Sequence, residues 1–405
     1  MKALILIGGY GTRLRPLTLS IPKPIVEFCN RPMLLHQVEA LLQVCFGIIG
    51  NSAHEVDIDE IILAINRQAA SLEQFIRESC KSVLGDRDVS LTFSYEEEAL
   101  DTGIGIVTVF GGCNFLAGPL AQAAPILSKT GEPFFVLNSD IICNYPFKEM
   151  LDFHLIHGHE GTMAVRLANL LTLNFNQKVT KVEEPSKYGA VVHNDRTGLV
   201  KYFVEKPSEY VANRINAGLY IFSPNILDRI QPNKPTSIET SVFPSMVSDG
   251  ELYCLEFSGF WMDIGQPADY LIGMRLYLNH LFEKKSPELN SRSGLLGNVL
   301  VDPTAKIGTD CRIGPNVTIG AHVVIEDGVR ISNTAIFSKS VVRSHTWLHN
   351  CIVGWRSTVG RWVRMENMTV LGEDVRVGDE LFLNGALVLP HNAISESVTE
   401  PHIIM

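Results

Sequence analysis

From Val301 onward, apolar residues return every six positions: Val301, Ile307, Ile313, Ile319, Ile325, Ile331 and Phe337. Four residues past each lead stands a small or branched one, from Ala305, Cys311 and Val317 through Val323, Val329 and Ala335. The register slips once and resumes at Val341, Trp347, Val353, Val359, Met365, Leu371, Val377, Leu383 and Leu389. A helix repeats every 3.6 residues and a strand every two, so neither explains a period of six. Three hexads do make one coil of a triangular solenoid, with each lead residue pointing at the axis. The run is long enough for about five coils of a left-handed parallel β-helix. Stacked flat faces of this kind associate, so a homo-oligomer is expected. The repeat itself names no chemistry.

Upstream, Pro267–Lys285 reads as a helix with Tyr270, Leu271, Met274, Leu278 and Leu281 on one face, and Ser286–Gly294 as a linker. Earlier residues alternate strand-like runs (Ala3–Ile7, Ile61–Ile65, Phe134–Leu137) with amphipathic helices such as Pro32–Leu42. That alternation predicts an α/β domain with a mainly parallel sheet. The expected division is 1–266 for this domain, 267–297 for the connecting helix and linker, and 298–405 for the β-helix. The stretch Thr102–Ser128 carries no charge, but its glycines and prolines argue for loops and short strands rather than a membrane span. Ala3–Ile7 is too short for a signal sequence. Eight dispersed cysteines without a CxxC pair suggest reduced thiols, hence a cytoplasmic protein. A net charge of −10 leaves no bulk attraction to nucleic acid or an anionic membrane. Any phosphate must be met by local cations and main-chain amides.

Such a place follows the first strand: Gly8-Gly9-Tyr10-Gly11-Thr12-Arg13. Glycines let backbone N–H groups converge on anionic oxygens. The pattern is neither GxGxxG nor a Walker loop, since Leu14 replaces the third glycine and no GK[ST] follows. Arg13 supplies a forked cation. In Pro22-Lys23-Pro24 the flanking prolines stiffen the chain around Lys23. Asp140 ends a strand, where ligands gather in open α/β sheets, and Asp263 ends another.

GGYGTRLRPLT…PKP resembles the signature of the sugar-nucleotide pyrophosphorylases. The resemblance continues through Asn138-Ser139-Asp140, Pro185–Gly189, Phe203–Pro207, Asn216-Ala217-Gly218, Trp261–Gly265 and the hexapeptide tail. It implies a Rossmann-like nucleotidyltransferase domain followed by the β-helix, and transfer from GTP to mannose 1-phosphate, giving GDP-mannose and pyrophosphate. By resemblance, Gly8, Gly9, Gly11, Thr12, Arg13 and Lys23 bind the nucleotide, with Arg13 and Lys23 catalytic and Glu96 reading the base. Gly189, Glu205, Lys206 and Asn216 would bind the sugar phosphate, and Asp140 and Asp263 would hold Mg²⁺. A regulatory α-type subunit is an implied partner.

Three segments interrupt the resemblance, near 45–56, 103–116 and 166–178. The second splits the family's base-binding loop, and Asp101 stands where that loop has glycine. This leaves two alternatives to the guanylyltransferase reading: a non-catalytic regulatory or scaffold subunit, and a pyrophosphorylase for another nucleotide or sugar phosphate. The choice between mannose and glucose rests on resemblance alone.

Overall fold

The computed structural model describes residues 1–7, 11–44, 47–49, 52–54, 57–66, 73–85, 87–96, 117–167, 187–230, 237–289 and 293–405. The expected inserts fall largely outside these residues: 103–116 wholly, 166–178 from 168 on, and 45–56 in part. The chain forms two compact units. One comprises residues 1–9 and 37–261, the other 10–36 and 262–405.

The first unit is built on a nine-stranded sheet. Its strands are β1 (Lys2–Ile7), β2 (Glu60–Asn66), β3 (Ser90–Glu96), β4 (Phe134–Asn138), β5 (Gly161–Leu167), β6 (Ala190–His193), β7 (Val200–Val204), β8 (Arg214–Phe222) and β9 (Leu252–Glu256). The order is β7-β6-β8-β4-β1-β2-β3, with β5 joining β8 and β9. The strands β3, β2, β1 and β4 are parallel; β8 runs antiparallel to β4. Every residue of β1 is buried, as its unbroken KALILI run requires of a central strand covered on both faces. Phe134, Tyr220, Phe222 and Phe243 fill one core with Leu120, Ala123 and Leu127.

Those last three overturn part of the reading of 102–128. Ala117–Leu127 is a helix, not loops and short strands. Gly118 and Pro119 fall in its first turn, where a missing N–H costs nothing, and Pro125 lies close to its end. Its eleven residues are also too few to cross a bilayer. No helix among the described residues is long and apolar enough to do so.

The second unit holds the parallel β-helix. Short strands stack into three sheets of seven, six and five, in registers such as Val299↔Val317, Val324↔Val341 and Arg330↔Trp347. The axis is filled by Ile313, Ile319, Ile325, Ile331, Val359, Leu371 and their equivalents. At four positions the residue on the axis is the neighbour of the expected one. The core residues are Ile336, Val342, Leu348 and Val388, whereas Val341, Trp347 and Leu389 are only half-buried and Phe337 is buried outside that cluster. The reason is that the steps from Ile331 to Ile336, Leu348 to Val353 and Leu383 to Val388 are five residues long. One corner drops a residue on those coils and turns on Asn333, Asn350 or Gly385, each at positive φ. Neighbouring asparagines there bond up the stack: Asn298 donates to Asn316 at 2.8 Å and Asn316 to Asn333 at 2.7 Å. Before the solenoid, Pro267–Glu283 is the expected helix, with all five predicted face residues buried.

Candidate functional site

In the second unit, Gly11 takes a left-handed conformation (φ +59°) and opens a single helical turn, Thr12–Leu14. A Cβ on Gly11 would lie 3.0 Å from Thr18 Cγ2 and 3.3 Å from Lys23 Cβ. Glycine is therefore favoured twice, by backbone conformation and by the close approach of Thr18 and Lys23. Thr18 Oγ1 donates to the Gly11 carbonyl at 2.6 Å, tying the loop to itself. Lys23 starts another one-turn helix, held by Ile25 N–H to Pro22 O and Val26 N–H to Lys23 O, both 3.1 Å. The stiffening read from its flanking prolines is thus realised as a closed turn. A Cβ on Gly265 would lie 3.3 Å from Arg13 Nη1 and 3.4 Å from Asp263 Oδ1. Guanidinium and carboxylate thus both border the space above Gly265, a glycine not singled out among the candidate site residues. Gly8 and Gly9 lie outside the described residues.

In the first unit, Asp140 follows β4, whose end is in register with that of β1: Leu6 pairs with Asn138, and Ser139 N–H donates to Leu6 O at 3.3 Å. Strands continue in opposite directions on the two sides of this point, which makes it a switch point of the sheet. The turn carrying Asp140 is clamped by Gln37, fully buried, whose Nε2 donates to Asn138 O (2.7 Å) and Ile141 O (3.1 Å). Gly218 (φ +73°) packs against the same turn, with room for no Cβ beside Asn138 Nδ2. Gln37 was invisible in the sequence because it sits on a helix of apolar residues; only its contact with the strand end gives it meaning.

The sugar-phosphate candidates come together in the same unit. A Cβ on Gly189 would fall 2.8 Å from Glu205 Oε2, and Asn216 N–H donates to Gly189 O at 2.8 Å. Asn216 Nδ2 donates to Tyr220 OH at 2.7 Å, and its Oδ1 accepts from Gly218 N–H at 3.1 Å. Among the described residues these bonds fix the amide and engage one of its two N–H groups and one of its two lone pairs. Lys206 sits at φ +44°, a strained position for a side-chain-bearing residue, with Nζ 3.7 Å from Glu205 Oε1. Burial pushes the Glu205 carboxyl up and Lys206 opposes it. Glu239, absent from the sequence reading, is pushed up to about 7 by burial and by the Glu205 charge. It lies in the short helical turn Ile238–Val242, where Ser237 Oγ donates to it at 3.1 Å. Glu96 is the last residue of β3.

Asp140 and Asp263 are hard oxygen donors, and no cluster of three or more metal-binding side chains exists among the described residues. A carboxylate of this kind, in either unit, suits a hard divalent cation, which takes one or two carboxylates and completes its shell with phosphate and water. Six described cysteines are free and buried.

The chain matches the Nucleotidyl transferase family over residues 2–280 and the GMPPB C-terminal domain over residues 295–404. It is 55% identical over 404 residues to the mannose-1-phosphate guanylyltransferase catalytic subunit beta of Drosophila melanogaster, covering 100% of this chain and 97% of that one. The Danio rerio protein of the same name is 53% identical over 405 residues, with 100% of both chains covered. Among solved structures, a UDP-glucose pyrophosphorylase complexed with UDP-glucose superposes with a TM-score of 0.50 at 20% identity, covering 70% of this chain and 98% of that chain. Such a likeness speaks for the fold alone. The chain belongs to the nucleotidyl transferase family, in the branch that holds these mannose-1-phosphate guanylyltransferase catalytic subunits.

Proposed function

We propose that the chain catalyses nucleotidyl transfer from GTP to mannose 1-phosphate, giving GDP-mannose, an activated mannosyl donor, and pyrophosphate. A phosphate oxygen of the sugar attacks the α-phosphorus in line, the bond to the α,β-bridging oxygen breaks, and pyrophosphate leaves with that electron pair. No covalent enzyme intermediate is needed, so the work is positioning and charge neutralisation. Gly8, Gly9, Gly11 and Thr12 cradle the triphosphate. Arg13 grips the β- and γ-phosphates and the departing pyrophosphate, and Lys23 stabilises charge at the α-phosphate. Lys206 holds the sugar phosphate, Glu205 and Asn216 bond to sugar hydroxyls, the Gly189 amide touches the sugar, and Glu96 accepts from the guanine donors. Asp140 and Asp263 would hold Mg²⁺, which supplies charge neutralisation on the triphosphate.

What supports this reading most is that Arg13 Nη1 and Asp263 Oδ1 both border Gly265, in the same unit where Gly11 closes against Lys23, in a chain similar over its full length to enzymes of that name. The division at 1–266, 267–297 and 298–405, cytoplasmic residence, homo-oligomerisation and partnership with an α-type subunit belong to the same proposal. The two family matches, ending at 280 and starting at 295, support the division. The test is pyrophosphate release by purified protein with Mg²⁺, each of GTP, ATP, dTTP and UTP, and either mannose or glucose 1-phosphate. Release should require GTP and mannose 1-phosphate. Release with another pair reassigns the substrate, and none with any pair refutes catalysis.

A further inference from the structure

Glu27 stands four residues after Lys23, on a two-residue strand that pairs with Arg31–Pro32. Its carboxylate is turned into the solenoid. Ser338 Oγ donates to Oε1 at 2.7 Å, Trp355 Nε1 donates to Oε1 at 3.0 Å, and Ser338 N–H donates to Oε2 at 3.3 Å. The approach is close because Gly320, one coil earlier, has no side chain; a Cβ there would sit 3.2 Å from Glu27 Oε2. The backbone around Glu27 is held by the same unit. Tyr270 OH donates to Glu27 O at 2.8 Å, Asn30 Nδ2 to Ile319 O at 2.9 Å, and His36 Nε2 lies 2.9 Å from Phe28 O.

Burying a carboxylate is costly, and burial pushes that of Glu27 up. An apolar side chain could fill the same space at less cost, so stability alone is a poor reason for an acid here. What three directional donors on two successive coils supply is a fixed position. From Glu27 that position passes to Lys23 through a stiff path: Val26 N–H bonds back to Lys23 O, Ile25 N–H to Pro22 O, and Met33 N–H to Val26 O, each at 3.1 Å.

We propose that Glu27 is a positioning residue through which the β-helix sets the placement of Lys23, so that the C-terminal repeat contributes to the reaction as well as to assembly. The effect on turnover rests on the α-phosphate role given to Lys23 above; the mechanical link does not. Trp355→Phe keeps the ring on Phe337, 4.6 Å away, and removes only the Nε1 donor. Ser338→Ala removes a hydroxyl, and Glu27→Gln keeps an acceptor while losing the charge. In the full-length protein, Trp355→Phe and Ser338→Ala should each lower kcat by about tenfold with KM for mannose 1-phosphate unchanged. Neither should lower it further in a Lys23→Ala background, and Glu27→Gln should be milder than Glu27→Ala. Hydrogen exchange of the peptide 19–28 should lose about tenfold protection in Trp355→Phe while the strands at 352–353 and 370–371 keep theirs. Unchanged exchange in that peptide overturns the link whether or not the wild type is active. Changed exchange with kcat intact, or losses that multiply with Lys23→Ala, overturns its use in turnover. A wild type silent with every substrate pair refutes the guanylyltransferase reading instead and leaves the exchange result to decide the link.

Discussion

Glu239 makes folding of the first unit depend on pH in a direction that can be worked out. Burial, with the neighbouring Glu205 charge, raises its titration from the usual 4.5 to about 7 in the folded chain. Folding therefore favours the protonated carboxyl. Its contribution is fully present below pH 4.5 and is lost as pH rises through 7, because the folded state must then give up a proton the unfolded state has already released. At about 1.4 kcal/mol per tenfold, the loss between roughly pH 5 and pH 8 is about 2.5 kcal/mol, or about 2 once partial contact with water is allowed for. Glu239→Gln carries no proton to lose. Its stability relative to wild type should rise by about 2 kcal/mol over that interval, near thirtyfold in protection. His154 and His157, lowered by burial to about 3 and 4, act in the opposite sense. They are common to both proteins and cancel in the difference. Hydrogen exchange of the central strand Arg214–Phe222, corrected for intrinsic rates, reads opening of this unit directly. A difference between variant and wild type that stays flat from pH 5 to pH 8 would refute the argument.

Gly11→Ala should leave the chain folded and lower kcat by about tenfold or more, because the new Cβ meets Thr18 and Lys23 in a strained conformation; steady-state kinetics beside a circular dichroism spectrum checks both halves. Lys206→Ala should raise KM for mannose 1-phosphate by about tenfold to a hundredfold, the worth of a charged hydrogen bond, with KM for GTP little changed; a larger effect on GTP removes the assignment. Leu371→Ala empties a fully buried position on the solenoid axis and should cost about 2–5 kcal/mol, read from denaturant unfolding.

Much of this was legible in the chain. The period of six specified the solenoid, since only a three-sided coil puts every sixth side chain on one axis. The glycine loop and the two prolines pointed to a stiffened turn through local backbone chemistry, and where they stand the chain has Gly11 at positive φ and the one-turn helix Lys23–Ile25. The helix over Pro267–Glu283 was carried by its apolar spacing. What failed did so where local rules compete. Gly118, Pro119 and Pro125 read as breakers, yet they fall at helix positions that tolerate them while Leu120 and Leu127 are drawn into the core. The one-residue corners hid which of two adjacent apolar residues faces the axis, because both neighbours are hydrophobic and only the stacked register distinguishes them.

Sequence alone determined the residue types that can meet phosphate and the elements that carry them, because main-chain freedom at glycine, rigidity at proline and side-chain period are properties of short stretches. The tertiary structure alone decided that Gln37 clamps the Asp140 turn, that Arg13 and Asp263 both border Gly265, that Glu239 shares its surroundings with Glu205, and that Glu27 is gripped by coils more than 300 residues later. Those partners are remote in the chain, and a polar residue's role depends on which donor or charge folding places beside it.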